Sequence, residues 1–162
     1  MAPRFLTAFG LLLFVLCAFG ADQARAIDIQ DVRFGQHPDK VRMVMELNET
    51  SDYRVFMLDD PYRLVIDLPR FEPDRSVASK LDRAGGDPVK KLRWGHLNQK
   101  ISRMVVDLSA PVKIDSSFLL PPKTGFPARL VIDFQSTSVE GFEQARDNVY
   151  GTLSIKDIRT NS

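Results

Sequence analysis

The chain is poor in the residues from which reactive centres are most often built. Its 162 residues include one cysteine, two histidines and one tryptophan. The cysteine, Cys17, lies inside the one long apolar run. The remainder therefore has no disulfide to form, and its stability must come from a packed core. A zinc centre gathers His, Cys, Asp or Glu at close spacing. Here His37 and His96 fall in separate predicted turns with no second ligand nearby, so no metal is expected and both read as exposed turn residues. A Ser/His/acid constellation is missing as well. So is a Gly-rich phosphate cradle, Gly85-Gly86 alone reading as a turn, and no cofactor is expected. An excess of one charge sign is also lacking. With 22 basic and 21 acidic residues the net charge is +1, which gives no global electrostatic case for nucleic acid or an anionic membrane surface.

What is present begins with the N-terminus. Arg4 precedes an almost unbroken apolar stretch from Phe5 to Phe19, and Ala24-Arg25-Ala26 has the small-x-small pattern of a signal-peptidase site. The run is short against the roughly 20 residues of a membrane-spanning helix. Residues 1–26 are therefore expected to be a cleaved signal peptide rather than an anchor, leaving no stable membrane insertion and a periplasmic product. Leu16 stands where a lipoprotein site before Cys17 would want a small residue. Cleavage after Ala26 removes Arg4, Arg25 and Asp22, which leaves basic and acidic residues in balance.

Beyond Ala26 the chain repeats itself. Val32-Arg33-Phe34-Gly35 is echoed by Leu92-Arg93-Trp94-Gly95. A hexapeptide of the form Arg, apolar, Val, apolar, acid, apolar occurs four times, at Arg42–Leu47, Arg63–Leu68, Arg103–Leu108 and Arg129–Phe134. The copies divide into two halves, about 27–68 and 88–134, that differ by short loop insertions. The largest insertion is the stretch Leu120–Pro127, set against Leu58–Tyr62.

Side chains on a strand alternate faces. Met43, Met45 and Leu47 thus share one face, and Arg42, Val44 and Glu46 the other. The three sibling segments divide in the same way, and their β-branched content favours strand. Tyr53–Leu58 and Val112–Asp115 read as partner strands, and Ile27–Gln30 and Val89–Leu92 as opening ones. Each half supplies about four short strands, and two such sheets would bury their apolar faces against each other. The expected fold is an all-β sandwich of two pseudo-symmetric, roughly four-stranded sheets from an internal duplication. Phe71–Asp87 reads as a linker with a short helical turn near Ser76–Arg83. Residues 136–162 read as a largely mobile tail or linker, with weak amphipathy at Val139–Ala145 and a short strand at Thr152–Ile155.

The recurring arginines are the most informative polar feature. On a structural reading, Arg42, Arg63, Arg103 and Arg129 pair across strands with Glu46, Asp67, Asp107 and Asp133. Each such pair is worth about 0–1 kcal/mol at a surface. On a functional reading they form an Arg-rich face whose planar forks meet carboxylates of a ligand. Arg33 and Arg93, beside Phe34 and Trp94, add a stacking surface for a sugar or peptide. A carboxylate pair for glycoside hydrolysis stays open on sequence alone, but an Arg on the same strand face suits a salt-bridge ladder better than a general acid.

The four hexapeptides and the paired Val-Arg-Phe-Gly and Leu-Arg-Trp-Gly elements, with Asp60–Leu68 as the most specific stretch, resemble the AMIN domain over about Ile27–Gln135. This module precedes the catalytic domain of many periplasmic N-acetylmuramoyl-L-alanine amidases and occurs in type IV pilus secretins. The resemblance implies a sandwich of two related four-stranded sheets and a non-catalytic role: binding peptidoglycan and directing an attached amidase to the division septum. In such amidases a zinc-dependent domain follows and cleaves the bond between N-acetylmuramic acid and L-alanine. No zinc ligand or catalytic glutamate carries over to this sequence. The expectation is the targeting part of a longer amidase or a stand-alone adaptor. Arg33, Arg42, Arg63, Arg93, Arg103 and Arg129 are the candidates for stem-peptide carboxylates, and Trp94 for a sugar ring. The alternative is a protein-interaction module of an envelope or division machine.

Overall fold

A computed structural model describes residues 26–73, 75–81, 86–154 and 156. The expected signal peptide therefore lies, but for Ala26, outside the described residues. The strands are β1 (Ile29–Gln36), β2 (Val41–Leu47), β3 (Arg54–Leu58), β4 (Arg63–Pro69), β5 (Val89–His96), β6 (Ile101–Leu108), β7 (Val112–Leu120), β8 (Ala128–Ser136) and β9 (Tyr150–Gly151). Two short helices, α1 (Arg75–Leu81) and α2 (Val139–Ala145), fall between β4 and β5 and between β8 and β9. The all-β sandwich is as expected: one antiparallel sheet has the order β1-β2-β8-β7 and the other β5-β6-β4-β3-β9.

The alternation of the hexapeptides sets the core. Met43, Met45, Leu47, Leu64, Ile66, Leu68, Met104 and Phe134 point inward and are fully buried. At roughly 1.5–3 kcal/mol per fully buried side chain, such residues supply the main driving force for folding.

The sheets do not follow the halves. Hairpins β1–β2 and β7–β8 build the first sheet, and β3–β4 and β5–β6 the second, so each sheet takes two strands from each half. The central pairings, β2 with β8 and β4 with β6, both join distant parts of the chain. Within these pairs the hexapeptides are self-complementary. Antiparallel copies centred on their valines, Val44 on Val131 and Val65 on Val105, bring each Arg opposite an acid. Arg42 faces Asp133, Arg129 faces Glu46, Arg103 faces Asp67 and Arg63 faces Asp107. An acid four residues after an arginine is what this pairing requires, since both then lie on one strand face.

Bulges at Ile29/Asp31, Val89/Lys91 and Ile114/Ser116 shift the phase of β1, β5 and β7. The expected helical turn near Ser76–Arg83 is α1, which lies against β1 and β5 and buries Val77. Among the described residues, 137–154 are ordered rather than a mobile tail. Ser138 caps α2 by accepting from Gly141 N (3.1 Å), and Phe142 is fully buried with its ring 4.9 Å from that of Tyr62. The final strand comes slightly earlier than expected: β9 pairs with β3, and Tyr150 Oη donates to Ile114 O (3.1 Å). Gly151 sits at a φ of 101°, where an added Cβ would run into the carbonyl of Tyr53, so this close approach requires glycine.

Candidate functional site: the two outer sheet faces

The residues that alternate with the core form two outward faces, one per sheet, and the ladders align them in rows. On the first sheet the middle row is Arg33, Val44, Val131, Phe118. The matching row on the second sheet is Arg93, Val105, Val65, Phe56. Val65, Val105 and Val131 in these rows are buried beneath the flanking side chains, so each outward face presents chiefly a guanidinium at one end and an aromatic ring at the other, framed by arginine–acid rows. Such a face offers directed hydrogen-bond donors beside an aromatic contact.

The framing pairs are strong in geometry. Arg42 forks onto Asp133 with both contacts at 2.7 Å, and Lys40 adds a third at 2.9 Å. Asp133 is almost wholly buried, and its carboxyl is held down at about 2, chiefly by the Arg42 hydrogen bonds against the opposing effect of burial. On the second sheet Arg103 forks onto Asp67 at 2.6 and 2.9 Å, with Arg54 at 3.6 Å. Asp67 is fully buried beneath them. The guanidinium carbon of Arg54 lies 4.3 Å from the Phe56 ring centroid, a cation–π stack that closes the lid over this carboxylate.

The sequence candidates divide between these faces. Arg33, Arg42 and Arg129 lie on the first, and Arg63, Arg93 and Arg103 on the second. Arg33 reaches Glu46 at 2.6 Å, and Arg93 forks onto Asp107 at 3.0 and 3.0 Å. Both stand at sheet edges, about half exposed. Their guanidinium pKa values are raised, first by the hydrogen bonds to these carboxylates. Arg63 is turned back on its own hairpin, donating to Pro61 O and Asp59 O at 3.0 Å each. Arg129 makes no hydrogen bond or ion pair with the described residues; its guanidinium lies 5.5 Å from the Phe126 ring.

Trp94 does not join Arg93. Consecutive strand residues face opposite ways, so Trp94 turns inward and packs against Phe71 at 5.8 Å and His96 at 5.6 Å. The same rule turns Phe34 away from the face that carries Arg33. His96 is likewise no free turn residue. Its Nδ1 lies 2.9 Å from Ser102 Oγ and its Nε2 3.5 Å from Glu72. This is not a nucleophilic triad, because Ser102 is fully buried and its hydroxyl ties both the N–H and the carbonyl of Phe71. A shallow depression of about 240 Å³ beside the β5–β6 turn is lined by Arg93, Trp94, His96, Leu97, Arg103 and Val105.

Sequence reasoning missed Arg54, Phe56, Phe118 and Phe126. Arg54 and Phe56 alternate with Val55 and Met57 and were legible as an outward pair. Phe118 was not, because counting by twos from Val112 and Ile114 puts it inside until the bulge at Ile114/Ser116 reverses the phase. Among the described residues no three His, Cys, Asp or Glu side chains gather as a metal site. No described helix is long and apolar enough to cross a membrane.

Comparison with known proteins finds similarity to one family and to amidases. The family model of the AMIN domain matches residues 47–118, from the end of β2 into β7. The chain is 26% identical over 136 residues to N-acetylmuramoyl-L-alanine amidase AmiC of Neisseria meningitidis serogroup B, covering 83% of this chain and 32% of that protein. It is 30% identical over 105 residues to N-acetylmuramoyl-L-alanine amidase AmiC of Escherichia coli O6:H1, covering 63% of this chain and 25% of that one. The match thus spans a third or less of either amidase.

Proposed function

We propose that this chain, whose residues 47–118 match the family model of the AMIN domain, is the non-catalytic, peptidoglycan-binding module of a cell-wall N-acetylmuramoyl-L-alanine amidase, exported to the periplasm and directing that enzyme to the division septum. The observation that carries this reading is the pair of outward faces, each an Arg–Val–Val–Phe row on an AMIN sandwich. Peptidoglycan presents carboxylates on stem peptides beside small apolar side chains and sugar rings. A guanidinium and an aromatic ring on one face suit that mixture, the fork meeting the carboxylate and the ring the apolar side chain or sugar. In this reading amide hydrolysis belongs to a region other than the sandwich.

The reading also sorts the candidate arginines. Arg42 and Arg103 hold nearly buried acids and serve the scaffold, whereas Arg33, Arg93 and Arg129 face outward for contact. Co-sedimentation of the purified protein with cell-wall sacculi at physiological salt tests the proposal. Retention in the pellet is expected. A protein that stays in the supernatant, and instead binds an envelope or division protein, would make it an interaction module of the kind found in pilus secretins.

A further inference from the structure

We infer that the outer face of the first sheet carries a single carboxylate-binding site centred on Arg129, and that its pseudo-symmetric counterpart on the second sheet, at Arg63, does not. The inference rests on the wall-binding reading for its natural ligand, a stem-peptide carboxylate, but its chemistry stands on Arg129 alone.

Arg63 and Arg129 open equivalent hexapeptides and occupy equivalent rows. Their surroundings differ because the preceding turns differ. The short Asp59–Tyr62 turn returns two carbonyls, of Asp59 and Pro61, to the Arg63 guanidinium and satisfies it. The longer 121–127 connection closes on itself instead, Lys123 and Phe126 exchanging backbone hydrogen bonds at 3.0 and 2.8 Å. None of its described carbonyls accepts from Arg129. The acid opposite, Glu46, is engaged by Arg33 at 2.6 Å. Arg129 is left with its Nε buried and without a hydrogen-bond partner. A buried, unsatisfied charged donor is costly and is normally matched by some acceptor.

The walls indicate what that acceptor is attached to. Phe126 projects from the same connection, 60% exposed, with its ring 5.5 Å from the guanidinium. Leu120 lies beside Arg129 in the ladder, and Phe118, 37% exposed, is on the same face one row away. A planar fork flanked by apolar groups fits the free carboxylate of a short peptide ending in a small apolar residue. A sugar hydroxyl would use the planar fork poorly. The insertion in the second half thus converts an arginine that caps its own hairpin into one that awaits a ligand.

The test uses the full chain and two readouts. In the first, N-acetyl-D-alanine and its C-terminal amide are titrated while the arginine side-chain Nε–H resonances are followed by NMR. The Arg129 signal should move with the acid and not with the amide, and the Arg63 signal with neither. An unmoved Arg129 signal overturns the inference. In the second, sacculus binding is compared for the parent, Arg129→Gln, Arg129→Lys, Phe126→Ala and Arg63→Gln, each with its melting temperature. Arg129→Gln should weaken binding by roughly ten- to hundredfold, the scale of a lost charge-assisted hydrogen bond. Arg129→Lys and Phe126→Ala should weaken it less, and Arg63→Gln should not weaken it. Equal binding by Arg129→Gln and the parent overturns the site while leaving wall binding intact. A moving Arg129 signal with no sacculus binding by the parent keeps the site and sinks the wall reading.

Discussion

Asp67 is the residue on which the second sheet face depends most. Its carboxylate is fully buried yet lies on the outward side of β4, covered by Arg103, Arg54 and the Phe56 ring. Removing one partner of a buried pair leaves an uncompensated charge, so Arg103→Ala should cost about 3 kcal/mol in urea unfolding, with Arg54 limiting the loss. The double variant Asp67→Leu with Arg103→Met should recover most of that cost, since no charge then remains to be satisfied. A double variant as unstable as the single one would show that the arginine acts through packing. Asp133 gives a matching pH signature. Its folded pKa, about 2, lies below the ordinary 3.8, so its stabilisation is present in full above about pH 5 and is lost as pH falls towards 2. The stability gap between the parent and Asp133→Asn should shrink by about 2 kcal/mol over that range, measured by urea titrations at each pH. A gap that stays constant would mean that the carboxylate is not held down in the folded protein. The Arg-to-acid spacing behind both predictions was legible in the sequence. The burial of Asp67 was not, because its cover comes from β3, a strand without the hexapeptide.

At the scale of elements, regular alternation exposed the eight main strands, and the irregular pieces escaped it. A bulge costs one residue of phase and leaves no mark in composition, which is why Phe118 could not be placed from its neighbours. Helix α2 is two turns long and buries a single side chain, Phe142, so its amphipathy is faint. One buried aromatic against Tyr62 is nonetheless enough to seat it, and β9 follows on the edge of β3. Phe142→Ala should therefore lower stability by about 3 kcal/mol, the usual loss for a core phenylalanine, and raise hydrogen exchange in β9 before the rest of the second sheet. A loss below about 0.5 kcal/mol, the level of an ordinary surface change, would return residues 139–151 to the status of a loose tail.

At the scale of the whole molecule, the exchange of strands between the halves binds them into one folding unit. The β2–β8 and β4–β6 pairings connect residues from opposite sides of the 71–88 connection, so neither half can complete a sheet by itself. Fragments 26–73 and 86–156 should each lack a cooperative thermal transition, and mixing them should restore one; a fragment that melts cooperatively alone would contradict the interlock. Closing such distant pairs also predicts slow folding relative to a helical protein of this size. By itself, the sequence determined where the four hexapeptide strands lie, which face of each is buried, and that arginine pairs with acid across strands. It could not determine which copies meet. All four hexapeptides are complementary to one another, so their charges and valines accept β2 on β4 as readily as β2 on β8. The connections decide instead, by carrying the chain across the sandwich after β2 and again after β6. That same tertiary choice places Arg42 on Asp133 and Arg103 on Asp67, and leaves Arg129 on the outward face with no hydrogen-bond partner among the described residues.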